Sequence, residues 1–187
     1  GIGFKDIVVS LKSSDVSDTI DAYRIFSERH DYPLHIGVTE AGPMPIGAVK
    51  SSVGLGALLA EGIGDTMRVS LTENPVEEIH VANEILQSLG LKKGREFVSC
   101  PTCGRTDPGM IEIAKEVEEK TRNMQKQVKI AVMGCEVNGP GEAKDADLGI
   151  AFSKDRAFLF RKGKIIRSVS REQAVEAVLE EADKLNL

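Results

Sequence analysis

The chain has 187 residues, 41% of them hydrophobic, with 24 basic against 29 acidic residues and a formal charge of -5. That length can bury one good core or two small ones, and the acidic balance offers no general attraction to phosphate backbones, which argues against nucleic acid as a partner. No apolar run approaches the roughly 20 residues that span a bilayer, and no basic segment followed by an apolar one opens the chain, so a cytoplasmic protein without membrane contact is expected. The start, Gly1-Ile2-Gly3-Phe4, lacks an initiator Met and reads as a trimmed or truncated chain.

Three strand-then-helix units are predicted in the first half, with β-rich runs at residues 7–11, 34–38 and 67–71. Val16, Ile20, Tyr23 and Phe26 make the apolar stripe of the first helix; Val49, Val53, Leu55, Leu58 and Leu59 make that of the second. The third helix is the clearest. Asn74 caps it, Pro75 takes the first helical position, Glu77 follows three residues after the cap, Ile79, Ala82, Leu86 and Leu89 form the stripe, and Gly90 stops it. Repeated βα units with nearly continuous apolar strands predict a parallel sheet covered by its crossover helices, an α/β architecture. A closed (β/α)₈ barrel needs about 250 residues, so three units make up only part of one.

Lys92-Lys93-Gly94-Arg95 reads as a polar hinge. Beyond it the spacing predicts strands at 96–99 and 128–133, a helix between them opened by Asp107-Pro108, and short strands near 148–151, 157–160 and 164–168. A last helix is expected to start at a capping box of Ser170 and Gln173 and to bury Val175, Val178, Leu179, Ala182 and Leu185.

The cysteines carry the chemistry. Three of them cannot all pair as internal disulfides, and in a reducing compartment they point to metal or redox work. Cys100-Pro101-Thr102-Cys103 follows one predicted strand, and Cys135 follows the next, so a βαβ unit brings both strand ends, and the three thiolates, together. A CxxC pair standing alone is more often a zinc site or a thioredoxin-like dithiol. Zinc normally takes four Cys or His donors, yet His30, His35 and His80 all lie in the other half, and a dithiol has no use for Cys135. Three thiolates on a 4Fe-4S cluster, which usually takes four, leave one iron for another ligand or for substrate. Gly139-Pro140-Gly141 bends the backbone beside Cys135; Glu142 taken by itself reads as a surface acid. The competing readings are a non-catalytic iron-sulfur or zinc-binding electron-transfer or structural module, and a thiol-disulfide oxidoreductase using Cys100 and Cys103 alone. His35 is expected to be a hydrogen-bonded core imidazole and His80 a solvated one. The pairs Gly54-x-Gly56 and Gly62-x-Gly64 lack the third glycine of a dinucleotide fingerprint.

Ser99-Cys-Pro-Thr-Cys-Gly-Arg-Thr106, with Met133-Gly-Cys-Glu-Val-Asn-Gly-Pro-Gly-Glu-Ala143, resembles the signature of the 4-hydroxy-3-methylbut-2-enyl diphosphate synthase family. The likeness extends upstream through Phe4-Lys-Asp-Ile-Val-Val-Ser10, His35-Ile-Gly-Val-Thr-Glu-Ala-Gly42 and Gly62-Ile-Gly-Asp-Thr-Met-Arg-Val-Ser-Leu71, and so covers nearly the whole chain.

The resemblance implies the last three βα units of a TIM-type barrel over residues 1–91, binding substrate, followed by a small α+β iron-sulfur domain over 95–187. It implies reductive dehydration and ring opening of 2-C-methyl-D-erythritol 2,4-cyclodiphosphate in isoprenoid biosynthesis, with ferredoxin or flavodoxin as electron donor. It also implies a homodimer in which the cluster domain of one subunit caps its partner's barrel. By the same resemblance Cys100, Cys103, Cys135 and Glu142 hold a 4Fe-4S cluster, Glu142 being the weaker partner that can yield its iron to a substrate oxygen. Lys12 and Arg68 then contact the diphosphate, Ser70 adds a neutral donor, and Glu40 faces the carbon skeleton, where it can bond a hydroxyl or move a proton. Asn138 is open between a substrate contact and a cap of the turn. Without the first part of the barrel the chain is expected to be inactive alone, and the uncovered sheet edge and apolar helix faces imply association with another chain or disorder in that half.

Overall fold

A computed structural model of the chain describes residues 3–100, 103–104, 106, 109–124, 126–135, 141, 143–153 and 156–185. The chain divides into two compact units, Gly1–Lys92 and Lys93–Leu187.

In the first unit, α1 (Val16–Ser27), β1 (His35–Ile36), α2 (Ile46–Ala60), β2 (Thr66–Met67) and α3 (Pro75–Ser88) follow in order. The two strands pair in parallel, His35 with Thr66 and Ile36 with Met67, and the 7–11 run contributes one parallel bridge, Val9 to Leu34. The alternation of strand and helix is therefore as the sequence indicates, but the regular strands are two residues long where five were expected. Tyr23 of α1 explains the register. Fully buried, it accepts from the Leu11 N–H at 2.9 Å and donates to the His35 carbonyl at 2.7 Å, tying the segment before α1 to β1.

The helix caps follow side-chain chemistry. Asp15 accepts from the Asp18 N–H at the start of α1, Asn74 accepts from the Val76 N–H at the start of α3, and Gly90 ends α3 with a φ of 69°. The buried faces differ from the predicted stripes. On α2 the packed side is Gly47, Ser51, Gly54, Leu55 and Leu58, while Val49 and Val53 point to solvent. On α3 Ile85 is buried and Ile79 is 62% exposed.

The second unit is a five-stranded sheet of order β3 (Glu96–Ser99), β4 (Lys129–Met133), β5 (Leu148–Phe152), β6 (Ala157–Arg161) and β7 (Lys164–Val169). The first three strands are parallel and the last two antiparallel. These strands sit where the sequence placed them. Met110–Thr121 forms α4 and Ala174–Asp183 forms α5. Both pack on one face, where Val117, Val175, Val178 and Ala182 meet Ile130, Val132, Ile150 and Leu159. The other face is a second cluster of Ala131, Met133, Ala143, Ala146, Ala151 and Phe160, and Cys100 packs against both. With both faces covered, β4 and β5 read as uninterrupted apolar runs.

Two local expectations fail. The cap of α5 is Gln173, with no side-chain hydrogen bond to the helix, so the Ser170 capping box does not form. Arg95 is not a solvated hinge residue but is 3% exposed, stacked 5.2 Å over the Phe97 ring and paired with Glu118 at 3.2 Å. The start of α4 has Gly109 as its cap; Asp107 and Pro108 lie outside the described residues.

Candidate metal centre and anion site

β3 and β4 run parallel with Ser99 opposite Val132, so the residues that follow them emerge at the same end of the sheet. The Cys100 N–H continues the ladder by donating to the Val132 carbonyl at 3.3 Å. One residue past β4, the Gly134 N–H donates to Cys100 Sγ at 3.0 Å, and Cys135 comes next. Cys103 closes a short turn with Thr106. Its N–H donates to Thr106 Oγ1 at 2.8 Å, the Thr106 N–H donates to the Cys103 carbonyl at 2.9 Å, and the Thr106 hydroxyl donates to Cys103 Sγ at 3.5 Å.

Gly134 lies where these groups meet. A Cβ on it would come within 2.9 Å of Thr106 Cγ2 and 3.3 Å of Cys100 Sγ, so a side chain there would have to displace the Thr106 methyl. All three cysteines are free thiols, Cys103 exposed and the other two half-buried. The structure thus puts Cys100 and Cys135 past the same end of the sheet, with Cys103 bonded to Thr106, whose side chain lies against Gly134. Among the described residues, however, no three His, Cys, Asp or Glu side chains are close enough together to hold one ion in common, so the thiols are neighbours rather than convergent on a single point. Glu142 and Asn138 lie outside the described residues.

In the first unit the predicted substrate residues fall past the ends of the parallel strands. Arg68 directly follows β2, its N–H donating to the Ile36 carbonyl at 3.0 Å, and its guanidinium donates to Ser70 Oγ at 2.9 Å. Lys12 lies beside it across Gly37, whose missing Cβ would sit 2.9 Å from Lys12 Cε and 2.7 Å from the Arg68 carbonyl. The two cations are close enough to feel each other. Partial burial, and then the charge of Arg68, holds the Lys12 ammonium below its ordinary pKa, and no described carboxylate pairs with either residue. Like charges held together without a counterion are unfavourable until an anion arrives.

His35 belongs to this group, a role that its place in an apolar run concealed. It is half-buried rather than in the core, its Nδ1 lies 2.8 Å from Thr66 Oγ1, and burial followed by Lys12 and Arg68 lowers its pKa. The ring is therefore biased to neutrality, able to offer a hydrogen bond without adding a third charge. Glu40 is exposed in the loop after β1, with a φ of 53°. That left-handed backbone is uncommon for a residue with a side chain, and strain of this kind concentrates at functional loops. His80 sits half-buried on α3, away from this group in sequence.

A family model described as the GcpE TIM-barrel domain matches residues 1–83, and one described as the GcpE protein C-terminal domain matches residues 96–184. The chain belongs to the GcpE family. Lys12, His35, Glu40, Arg68 and Ser70 all fall in the match to the GcpE barrel domain, and the three cysteines in the match to its C-terminal domain. Among curated relatives, a protein of Thermodesulfovibrio yellowstonii is 56% identical over 184 residues, covering 98% of this chain and 53% of the relative. One from Clostridium perfringens is 58% identical over 179 residues, 95% of this chain and 51% of the relative. One from Fusobacterium nucleatum is 59% identical over 174 residues, 92% of this chain and 49% of the relative. Each is named 4-hydroxy-3-methylbut-2-en-1-yl diphosphate synthase (flavodoxin). The chain spans about half the length of the curated relatives it matches. Among the described residues no helix is long and apolar enough to cross a membrane.

Proposed function

We propose that the protein is an iron-sulfur oxidoreductase of the 4-hydroxy-3-methylbut-2-enyl diphosphate synthase type. The reaction opens the ring of 2-C-methyl-D-erythritol 2,4-cyclodiphosphate: two electrons from flavodoxin or ferredoxin and two protons enter, water leaves, and the linear allylic diphosphate remains. Residues 1–91 form a substrate-binding part of a TIM-type barrel and 95–187 a cluster-binding domain, and the working form is a homodimer in the cytoplasm. The observation that carries the reading is the cysteine arrangement: Cys100 and Cys135 past adjacent strand ends, Cys103 in the turn beside them in sequence, and hydrogen-bond donors aimed at the sulfurs of Cys100 and Cys103.

That donor set fits a cluster. A cluster takes each thiolate on a separate iron and gains from N–H and O–H bonds to the sulfurs, and Cys100 and Cys103 each receive such a bond. Cys100, Cys103 and Cys135 would hold it, with Glu142 as the fourth ligand, and a 4Fe-4S cluster at this place would supply the electrons of the reduction. The protein's remaining work is to bind and orient. Lys12 and Arg68 clamp the diphosphate oxygens, Ser70 fixes the guanidinium that does so, and Glu40 bonds a substrate hydroxyl or moves its proton.

Iron, acid-labile sulfide and zinc, measured after anaerobic reconstitution, test this. The chain is expected to retain iron and sulfide and its Cys135→Ser variant to lose both. Zinc alone, or no metal in either protein, would contradict the reading, and iron bound equally well without Cys135 would leave only the CxxC pair at work.

A further inference from the structure

We infer that Thr106 sets the electron affinity of the metal centre by donating its hydroxyl proton to the Cys103 thiolate. The inference rests on the iron-sulfur reading above and adds a residue to it that is not a ligand.

A threonine hydroxyl has one proton to give and two lone pairs to receive. One lone pair of Thr106 is taken by the Cys103 N–H at 2.8 Å, and the proton is aimed at Cys103 Sγ at 3.5 Å. The hydroxyl thus relays polarisation from a backbone N–H onto the sulfur, and a donor that is itself accepting is the stronger for it. The methyl group fixes the rotamer that makes this possible, because Thr106 Cγ2 and Oγ1 lie against the bare backbone of Gly134. On the other side of that glycine, its own N–H donates to Cys100 Sγ at 3.0 Å.

Cys100 and Cys103 therefore carry donors of different kinds. The Gly134 N–H is main chain and present whatever the sequence; the Thr106 hydroxyl is the one a substitution can remove. Reduction adds negative charge that spreads over the ligand sulfurs, so a donor to sulfur stabilises the reduced form more than the oxidised one and raises the potential. A purely structural role for Thr106 predicts something else. The reciprocal 103–106 bonds would simply hold the turn, and their loss would change how much cluster is bound but not its potential.

The test uses the reconstituted 187-residue chain with Thr106→Val, which keeps the shape and removes the hydroxyl, and Thr106→Ser, which keeps the hydroxyl. Iron and sulfide content is read first, then the midpoint potential by redox titration. Absence of iron and sulfide from the unsubstituted chain would defeat the cluster reading itself. With the cluster present, Thr106→Val is expected to lower the potential, so that at the unsubstituted midpoint the oxidised-to-reduced ratio rises roughly threefold to tenfold, and Thr106→Ser is expected to restore it. Thr106→Val loaded normally with an unchanged potential would overturn the inference. Failure of Thr106→Val to load while Thr106→Ser loads at the unsubstituted potential is the result that a turn-holding role predicts, and it too would overturn the inference.

Discussion

Replacing Gly149 by alanine is expected to lower the stability of the sheet unit by about 3 kcal/mol, the upper end of what overpacking a core costs. Gly149 of β5 pairs with Phe160 of β6, and the Phe160 ring lies back across it, so that an added Cβ would fall 2.2 Å from Phe160 Cζ and 2.5 Å from Cε2. The ring has nowhere to retreat. Phe160 is fully buried in the cluster of Met133 and four alanines, Ala131, Ala143, Ala146 and Ala151. For a unit of this size the loss corresponds to a fall of roughly 10–20 °C in the thermal midpoint. Gly149→Ala combined with Phe160→Leu should recover part of it, because the smaller side chain vacates the clash. Gly56→Ala is the control in the other unit. It sits inside α2 with nothing within 4 Å of the new methyl, so it should be neutral or slightly stabilising. An unchanged melt for Gly149→Ala would mean that the Phe160 ring is not held where the packing puts it.

Because Cys100 packs against the same cluster, the Gly149 prediction also bears on the site.

The double variant Lys12→Ala, Arg68→Ala should bind inorganic diphosphate at least about a hundredfold more weakly than the unsubstituted chain, with each single change costing roughly tenfold. The argument is electrostatic. Two cations stand side by side across Gly37 without a described carboxylate between them, and the ammonium of Lys12 is already held below its ordinary pKa by burial and by Arg68. An arriving anion relieves that repulsion, so binding should take up a proton wherever Lys12 is partly neutral, and its strength should fall with added salt. Arg68→Lys is not a mild change here. It loses the guanidinium bond to Ser70 that fixes the direction of the charge. Titration calorimetry in two buffers of different ionisation heat reads both affinity and proton uptake. Undiminished binding by Arg68→Ala would remove this pair from the substrate site.

What the sequence made legible was what depends on neighbours a few residues away. The Asn74 cap, the Gly90 stop and the spans of the strands in the second half follow from local backbone chemistry, and they appear where expected. The buried side of α2 was not legible because it is made of Gly47, Ser51 and Gly54, whose value lies in their smallness: a Cβ on Gly47 would meet the Gly42 carbonyl oxygen at 2.2 Å. A count of apolar residues selects Val49 and Val53 instead, and those face outward.

The site shows the same division. The cysteine spacing identifies residues that can ligate, but Thr106 and Gly134 act by proximity, and nothing about a threonine or a glycine in the chain announces that a thiol will be beside it. His35 was misplaced for a related reason. Its apolar neighbours imply burial, whereas the parallel pairing with Thr66 puts it next to Lys12 and Arg68, residues more than twenty positions away on either side. Arg95 errs in the opposite direction: a basic stretch reads as solvent-facing, yet an aromatic ring and a carboxylate on α4 draw this one inward.

Turnover in a chimera tests the central claim most directly. With this chain in place of the matching half of the Thermodesulfovibrio yellowstonii relative, to which it is 56% identical, the protein would be reconstituted anaerobically and supplied with reduced flavodoxin and the cyclic diphosphate. The account predicts formation of the linear allylic diphosphate, abolished by Cys135→Ser. Product formed as fast by the Cys135→Ser chimera, or none formed by an unsubstituted chimera carrying its full complement of iron and sulfide, would contradict it.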